Sequence, residues 1–176
     1  PSASTIVGTA AVQWSSTTCG CQRWNLTQTA LPPLGTGQYV LVNKNSGKYL
    51  DIPNGSTTAG TAVGQWQNTA CPCQLSPFQS AGSGAWTIKN TKSNLNLDIQ
   101  GSSSAAGAAV IQNTASSADS QKWTLTDAGG GYYKLRNVNS ALVAGVAQSS
   151  TANGAAVVQW GSANLDDQLW KIVRIN

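Results

Sequence analysis

Apolar residues along the chain occur in short runs that are separated by polar, turn-forming residues. Runs at Tyr39–Val42, Tyr49–Ile52 and Thr61–Trp66 are rich in Val, Leu, Ile, Tyr and Trp, and clusters such as Asn-Ser-Gly and Pro-Asn-Gly-Ser bound them. Runs of this length and composition predict short β-strands joined by tight turns. No window shows an apolar stripe at helical spacing with caps. The pattern therefore predicts an all-β protein.

The same strand pattern occurs three times at a fixed spacing of 47 positions, the difference between 39 and 86 and between 86 and 133. The phrases that repeat are Tyr39-Val-Leu-Val-Asn43, Trp86-Thr-Ile-Lys-Asn90 and Tyr133-Lys-Leu-Arg-Asn137. Near the end of each copy stands a glutamine: Gln74, Gln121 and Gln168. A period of this size indicates one supersecondary unit copied in tandem.

Four short strands per copy in three copies make twelve strands. So many strands would leave exposed edges in an open sheet, and closure into a barrel removes them. The prediction is a β-trefoil with pseudo-threefold symmetry over residues 39–176, with repeats at 39–85, 86–132 and 133–176.

Residues 1–29 resemble the second half of a repeat. Cys21-Gln-Arg-Trp24 matches Ser120-Gln-Lys-Trp123, whereas no counterpart of the first half is present. Residues 30–38 contain Pro-Pro and two glycines, which is typical of a linker. We predict that residues 1–29 are the tail of a preceding trefoil unit, and that the chain is a mature or excised piece of a longer protein.

Composition narrows the choice of partner. Only 9% of the 176 residues are charged, the chain has no His and no Met, and its six acidic residues are all Asp. A surface of Ser, Thr, Asn, Gln and Gly, together with seven Trp, suits neutral polyhydroxylated ligands. The net charge of +4 comes from scattered residues, so we expect no nucleic-acid partner. No run approaches the roughly 20 apolar residues of a membrane span, so none is expected.

A family resemblance enters through the motif Gln-x-Trp, which occurs at Gln22–Trp24, Gln121–Trp123 and Gln168–Trp170. The chain resembles the ricin-B-type β-trefoil lectins, which also occur as carbohydrate-binding modules of secreted glycosidases. The first full repeat departs from the motif and reads Gln74-Leu-Ser-Pro-Phe78. The resemblance implies that one ring per repeat fills the barrel core, and the expected core rings are Trp24, Phe78, Trp123 and Trp170.

The resemblance also implies a shallow sugar pocket in each repeat. Its parts are an aspartate after the second strand, an aromatic ring at the end of the third, and a polar residue in the next loop. Adjacent sugar hydroxyls donate to the carboxylate, while the apolar C–H face of the sugar lies on the ring. Transferred to this chain, the pattern predicts a leading site at Asp51, Trp66 and Asn68.

The other two repeats each lack one part of the pattern. The second has Asp98, but Asn113 replaces the ring, so we expect hydrogen bonding without stacking. The third has Trp160, but Gly145 replaces the carboxylate, and Asp167 is the nearby acidic candidate. Both are predicted to be weaker sugar sites.

The cysteines form two Cys-x-Cys pairs, Cys19/Cys21 and Cys71/Cys73. Equivalent loops of one trefoil should lie too far apart to bridge, since a disulfide needs Cα atoms within about 7 Å. Bonds within each pair, or a bridge between residues 1–29 and the first repeat, both remain open. A zinc site is not expected because the spacing is tighter than the usual zinc pattern and no His is available. No metal or cofactor is predicted, and an even cysteine set in a low-charge chain indicates secretion.

Catalysis lacks the residues it needs. A Ser-His triad requires His, and a glycosidase requires two facing carboxylates. Asp51 and Asp98 belong to different lobes of the predicted trefoil, so they should not flank one bond. We expect no enzymatic activity from this chain.

Two hypotheses follow from different functional classes. The first is a secreted lectin or carbohydrate-binding module that binds a neutral polysaccharide or oligosaccharide, with a catalytic domain in the full-length protein as an optional partner. The second is a trefoil that binds proteins, inhibits a protease or acts as a spacer, with vestigial pockets. The matching of Asp and Trp between repeats favours the first.

Overall fold

The computed structural model describes residues 34, 35 and 37–175, and within them twelve β-strands form three similar lobes. The first lobe contains β1 (Gln38–Asn43), β2 (Tyr49–Asp51), β3 (Gly64–Trp66) and β4 (Phe78–Gly82). The second contains β5 (Ala85–Ile88), β6 (Asn96–Ile99), β7 (Val110–Asn113) and β8 (Trp123–Asp127). The third contains β9 (Tyr132–Asn137), β10 (Val143–Val146), β11 (Val157–Trp160) and β12 (Trp170–Ile175).

The predicted all-β class, twelve strands and three repeats are confirmed. The lobes begin at β1, β5 and β9, each one residue earlier than the repeat boundary predicted from sequence. Every lobe also carries two short 3-10 turns, one after its second strand and one before its fourth. These turns are Pro53–Gly55, Pro72–Gln74, Gln100–Ser102, Asp119–Gln121, Ala147–Ser149 and Asp166–Gln168.

The first and fourth strands of the lobes build the barrel. Antiparallel pairing runs from β1 to β12, β9, β8, β5 and β4, and where the chain enters β4 the backbone N–H of Ser76 donates to Tyr39 O at 2.7 Å. The second and third strands form the hairpins β2–β3, β6–β7 and β10–β11. Neighbouring hairpins meet through bonds such as Val63 N to Val110 O and Val157 N to Val63 O, both 2.9 Å. This arrangement is a β-trefoil.

The barrel core repeats with the sequence. Leu41, Ile88 and Leu135 hold equivalent positions and are fully buried. The predicted core rings Trp123 and Trp170 are also fully buried, and their indole N–H groups donate to Leu97 O and Ala144 O. Burial of large rings with their polar atom satisfied is what a small closed barrel requires.

The first lobe fills the same volume in a different way. Ser76 stands at the sequence position of Trp123 and Trp170, and it is buried. The ring comes instead from Phe78, two residues later, which is 6% exposed and meets the edge of Tyr39 at a centroid distance of 5.5 Å. The predicted replacement of the missing tryptophan by Phe78 is confirmed.

Several predictions fall at the beginning of the chain. The partial repeat at residues 1–29, with Trp24 and the Cys19/Cys21 pair, lies outside the described residues. Within the range assigned to the linker, Leu34 is buried in the core cluster and Gln38 already belongs to β1. No helix in the described part of the chain has the length and apolar character needed to cross a bilayer.

Candidate functional site

The first lobe brings two of its three predicted site residues together. Asp51 ends β2 and Trp66 ends β3, and these strands pair so that Tyr49 lies opposite Trp66 and Asp51 opposite Gly64. Side chains of Asp51 and Trp66 line one surface depression of about 430 Å³. The hairpin therefore fixes the separation of a carboxylate and an indole without help from a long loop.

The Asp51 carboxylate is largely buried, with 6% of the residue exposed. Burial raises the pKa of Asp51 above its ordinary value, and a hydrogen bond from the side chain of Gln74 partly opposes this effect. Cys73 Sγ lies 3.5 Å from Asp51 Oδ1, but a disulfide-bonded sulfur carries no hydrogen to donate. The carboxylate thus retains capacity to accept further hydrogen bonds, as sugar hydroxyls would require.

The Trp66 ring is held on the surface rather than in the core. The residue is 39% exposed, and a Cβ atom added to Gly154 would lie 3.5 Å from ring atom Cζ3. Gly154 belongs to the third lobe and has a φ of +81°, a conformation that favours glycine. A glycine at this place lets the neighbouring loop support one edge of the ring while the rest stays open to a ligand.

The 3-10 turn after β2 forms the wall beside Asp51. Pro53 stands in its first position, and Asn54 adopts a left-handed φ of +56°, which Asn tolerates better than most residues. Pro53, Asn54 and Gly55 all line the depression. Lys92 reaches the same rim from the second lobe.

The third predicted residue, Asn68, does not line the depression. Its Oδ1 accepts a hydrogen bond from the backbone N–H of Ala70 at 2.9 Å, so its side chain serves a local turn. Thr69, Cys71 and Cys73 line the pocket on that side instead. Sequence reasoning missed Thr69, and the only available signal was its place in the loop that follows the ring.

Cys71 and Cys73 form a disulfide within their own pair. This is one of the two pairings that the sequence left open, and it places both half-cystines in the wall of the first-lobe depression. The bond uses two of the four thiols that a Cys₄ zinc site would need. Across residues 34, 35 and 37–175, no group of three or more His, Cys, Asp or Glu side chains has a metal-binding arrangement.

The second lobe keeps the carboxylate, but hydrogen bonds within the protein already occupy both of its oxygens. Asp98 is 4% exposed, and its Oδ2 accepts hydrogen bonds from Asn113 Nδ2 at 3.0 Å and from Gln121 Nε2 at 3.1 Å. Its Oδ1 accepts the backbone N–H of Ile99 at 2.7 Å. Asn113 therefore hydrogen-bonds to the carboxylate oxygen that a ligand would need, and it also provides no aromatic ring.

The third lobe keeps the aromatic ring but lacks the aspartate at the usual position. Trp160 ends β11 and is 44% exposed, while Gly145 stands at the position of Asp51 and Asp98. Trp160 and Asp167 nevertheless line one depression of about 360 Å³. The structure thus brings together the two residues that the sequence singled out in this lobe.

Comparison with known proteins identifies what this arrangement is similar to. A sequence model described as "Ricin-type beta-trefoil lectin domain-like" matches residues 20–113 and 119–176. The crystal structure of ThreeFoil, a designed threefold-symmetric protein, is similar with a TM-score of 0.78 and 37% identity, over 79% of this chain and 99% of that one. None of the curated proteins compared matches the chain.

Two further solved structures carry sugars or sugar chemistry in their names. An exo-β-1,3-galactanase from Clostridium thermocellum is similar with a TM-score of 0.78 and 35% identity, over 80% of this chain and 31% of that one. The ricin B-like lectin of Macrolepiota procera, solved with lactose, has a TM-score of 0.69 and 19% identity, over 80% and 98% of the two chains. At that lower identity the likeness concerns the fold alone.

Proposed function

Because the chain belongs to the ricin-type β-trefoil lectin domain-like family, we propose that it is a non-catalytic carbohydrate-binding protein whose main site is the first-lobe depression. One observation carries the proposal: a carboxylate and an exposed indole, Asp51 and Trp66, line the same depression. The matching pair in the second lobe, Asp98 and Asn113, bond to each other instead.

Each of the two groups has a separate task toward a sugar. The Asp51 carboxylate accepts hydrogen bonds from two adjacent hydroxyls, and an ionised acceptor makes these bonds stronger than neutral ones. The Trp66 ring supports the apolar C–H face of the same sugar. A hydroxyl-rich ligand that lacks one flat apolar face, or lacks adjacent hydroxyls, should therefore bind poorly.

We also propose that the natural ligand is a neutral polysaccharide and that the protein works outside the cell. A shallow open pocket buries little ligand surface and gives weak affinity, which repeated units of a polymer compensate. The similarity to 31% of an exo-β-1,3-galactanase chain supports a role as a targeting module beside a catalytic domain. The Cys71–Cys73 disulfide supports an oxidising compartment.

Affinity electrophoresis tests the main proposal. The full chain is run in native gels that contain xylan, galactan, arabinan or β-glucan, beside a gel without polysaccharide. We expect retardation in at least one polysaccharide gel and a clear loss of that retardation for Trp66→Ala, since removal of the ring abolishes stacking. Val138→Ala is the matched control, because Val138 is also 39% exposed and lines neither depression.

Unretarded migration of the wild type in every gel contradicts carbohydrate binding. Equal retardation of wild type and Trp66→Ala keeps carbohydrate binding but moves the main site away from the first lobe. The second candidate function is a protein-binding, inhibitory or structural trefoil with vestigial pockets. The internal bonds that occupy Asp98 in the second lobe are the observation in its favour.

A further inference from the structure

Lys92 stands at a repeat position where the other two lobes have asparagine. The equivalent residues are Asn45 in the first lobe and Asn139 in the third, one repeat of 47 positions before and after it. In all three, the backbone N–H donates at 3.1 Å to the side chain of the asparagine two residues earlier. The backbone of Lys92 is therefore held as in the other lobes, and only its side chain differs.

The two asparagines bind a turn of a neighbouring lobe. Asn45 Nδ2 donates to Ser149 O at 2.8 Å, and Asn139 Nδ2 donates to Ser102 O at 2.9 Å. Both serines end the 3-10 turn that follows the second strand of their lobe. At two of the three equivalent places, an amide side chain thus joins one lobe to the next.

The residue that faces Lys92 has changed together with it. The corresponding turn of the first lobe ends in Gly55, whereas the other two turns end in serine. A Cβ atom added to Gly55 would collide with Lys92 Nζ and would lie 3.2 Å from both Cδ and Cε of the same side chain. Lysine in place of asparagine and glycine in place of serine therefore fit each other in space.

The ammonium group of Lys92 has no partner among the described residues. The ion pairs within residues 34, 35 and 37–175 are Lys44–Asp166 and Lys122–Asp119, and no side-chain hydrogen bond among these residues involves Lys92 Nζ. The residue is exposed, so an unpaired charge is not costly here. The place of this charge in the molecule is what points to a ligand.

Lys92 lines the first-lobe depression together with Asp51 and Trp66. Because Lys92 and Asp51 form no ion pair with each other, the depression presents a carboxylate and a separate ammonium group. The third-lobe depression, whose turn binds Asn45 instead, is lined by no lysine or arginine. The two depressions therefore differ in the charge that they offer to a ligand.

We propose that Lys92 is a specificity-determining residue that makes the first-lobe site prefer acidic units of an otherwise neutral polysaccharide. The proposal rests on the carbohydrate-binding function proposed above. The Trp66 ring supports the apolar face of the sugar and Asp51 accepts its adjacent hydroxyls, while the ammonium group of Lys92 binds a carboxylate or sulfate group. The acidic group must project away from Asp51, since like charges repel.

Affinity electrophoresis of Trp160→Ala, which lacks the ring of the third-lobe depression, tests this preference. The gels contain polygalacturonate, glucuronoxylan or a sulfated galactan, each beside the same polymer after carboxyl reduction or desulfation. We expect at least one charged form to bind about two- to fivefold more tightly than its uncharged form, the size expected of an exposed ion pair. High salt should remove the difference, because it screens exposed charges. The polymers that show the preference distinguish a carboxylate from a sulfate ligand.

Substitutions in the same background assign the preference to Lys92. Lys92→Gln should abolish it, and Lys92→Arg should keep it. Lys171→Gln is the matched control and should keep it too, because Lys171 is exposed, lines neither depression and carries the same charge. Gly55→Ser should weaken the preference without any change in net charge, since the serine side chain displaces the ammonium group.

A stability measurement separates a binding role from a structural one. Lys92→Asn introduces the residue type of the other two lobes and should not lower the midpoint of urea unfolding, while it abolishes the preference for the charged polymer. A lower midpoint would mean that Lys92 supports the fold, which contradicts the proposal.

The outcomes distinguish this inference from the function on which it rests. Equal retardation by the charged and uncharged forms of every polymer overturns the role of Lys92 and leaves carbohydrate binding intact. Equal loss of preference in Lys92→Gln and Lys171→Gln attributes it to net charge and overturns the role as well. A preference that survives Trp66→Ala places the acidic group away from the sugar site, with the same consequence. A chain that no gel retards, charged or uncharged, overturns both proposals.

Discussion

The strands β3 and β7 occupy equivalent places in the first and second lobes and differ at their last residue, which lies at the proposed sugar site in the first lobe. β3 ends in Gln65-Trp66, and β7 ends in Gln112-Asn113. The glutamine is fully buried in both, whereas the residue after it is exposed at the proposed site in one lobe and forms an internal hydrogen bond in the other. Neighbouring positions on one strand thus serve the fold and the proposed function separately.

The two glutamines make the same set of hydrogen bonds. Gln65 Nε2 donates to Ser150 O and Ala152 O in the third lobe, and its Oε1 accepts from Ser46 Oγ. Gln112 Nε2 donates to Ser56 O and Thr58 O in the first lobe, and its Oε1 accepts from Ser93 Oγ. Each glutamine therefore joins its own lobe to a neighbouring one. Because this bonding requires only the glutamine, the next residue is free to differ.

The largest change in stability should follow from removing the glutamine that the lobes share. Gln112→Ala deletes three hydrogen bonds made by a fully buried side chain. Ser56 O loses this donor, whereas Thr58 O still accepts the hydroxyl of Thr61. We expect a loss of about 3 kcal/mol in the free energy of unfolding, measured by urea denaturation, since each of the three hydrogen bonds contributes about 1 kcal/mol.

Asn113→Ala, one residue further along β7, is the matched control for that loss. It removes one hydrogen bond to Asp98, which keeps Gln121 and the N–H of Ile99 as donors. It also removes the bond that Asn113 Oδ1 accepts from the N–H of Thr114, which is exposed to water, so we expect a cost of about 1 kcal/mol. Equal destabilisation by the two substitutions would contradict the division of labour between the neighbouring positions.

The division between structural positions and pocket positions explains why the sequence predicts the fold better than the pockets. Gln65, Gln112 and Gln159, like Asn43, Asn90 and Asn137, recur every 47 positions because each bonds to equivalent backbone carbonyl groups in every lobe. Such residues specify the trefoil, and their spacing makes it visible before any coordinates. The irregular core of the first lobe was also predicted, since Phe78 supplies the ring that Ser76 lacks.

The pockets were less predictable because their contacts depend on side-chain direction across loops. Residue type alone does not show that Asn113 points back to Asp98, or that Asn68 bonds to the backbone of Ala70. Asp167, in contrast, was the acidic candidate that the sequence offered for the third lobe, although it stands 22 positions after Gly145. A signal existed, since the acidic residue and the glycine are exchanged in one and the same repeat.

Converting the second lobe into a copy of the first should create sugar binding there. This gain should be smaller in free energy than the stability loss caused by Gln112→Ala, but it is more informative about the site. Asn113→Trp removes the donor that occupies Asp98 Oδ2 and adds the missing ring. The supporting glycine is already present: Gly60 has the register and φ of Gly107 and Gly154, and an added Cβ there meets no atom within 4 Å. That open space is where the new ring should lie.

The gain in sugar affinity is best measured in a chain whose first-lobe and third-lobe pockets do not contribute. In a chain with Trp66→Ala and Trp160→Ala, adding Asn113→Trp should restore retardation in the polysaccharide gel that retards the wild type. Stacking and the freed carboxylate together should give an affinity increase on the order of tenfold, since an aromatic contact contributes about 0.5–1.5 kcal/mol. Asn113→Ala in the same background is the control, because it frees Asp98 without adding a ring. Retardation by Asn113→Ala alone would show that the ring is dispensable.

The smallest effect should be a pH dependence that belongs to the first lobe. Burial raises the pKa of Asp51 above the ordinary aspartate value of 3.8. The sugar hydroxyls need the ionised carboxylate as acceptor, so binding is complete above the raised pKa and weakens as the pH falls through it. In Trp160→Ala, where the first lobe dominates, retardation should therefore decline several-fold with a midpoint above pH 3.8.

Asp51→Asn, which is neutral at every pH, should bind more weakly at neutral pH and show no such decline. A midpoint at or below the ordinary value in Trp160→Ala, or the same decline in Asp51→Asn, would mean that another group controls binding.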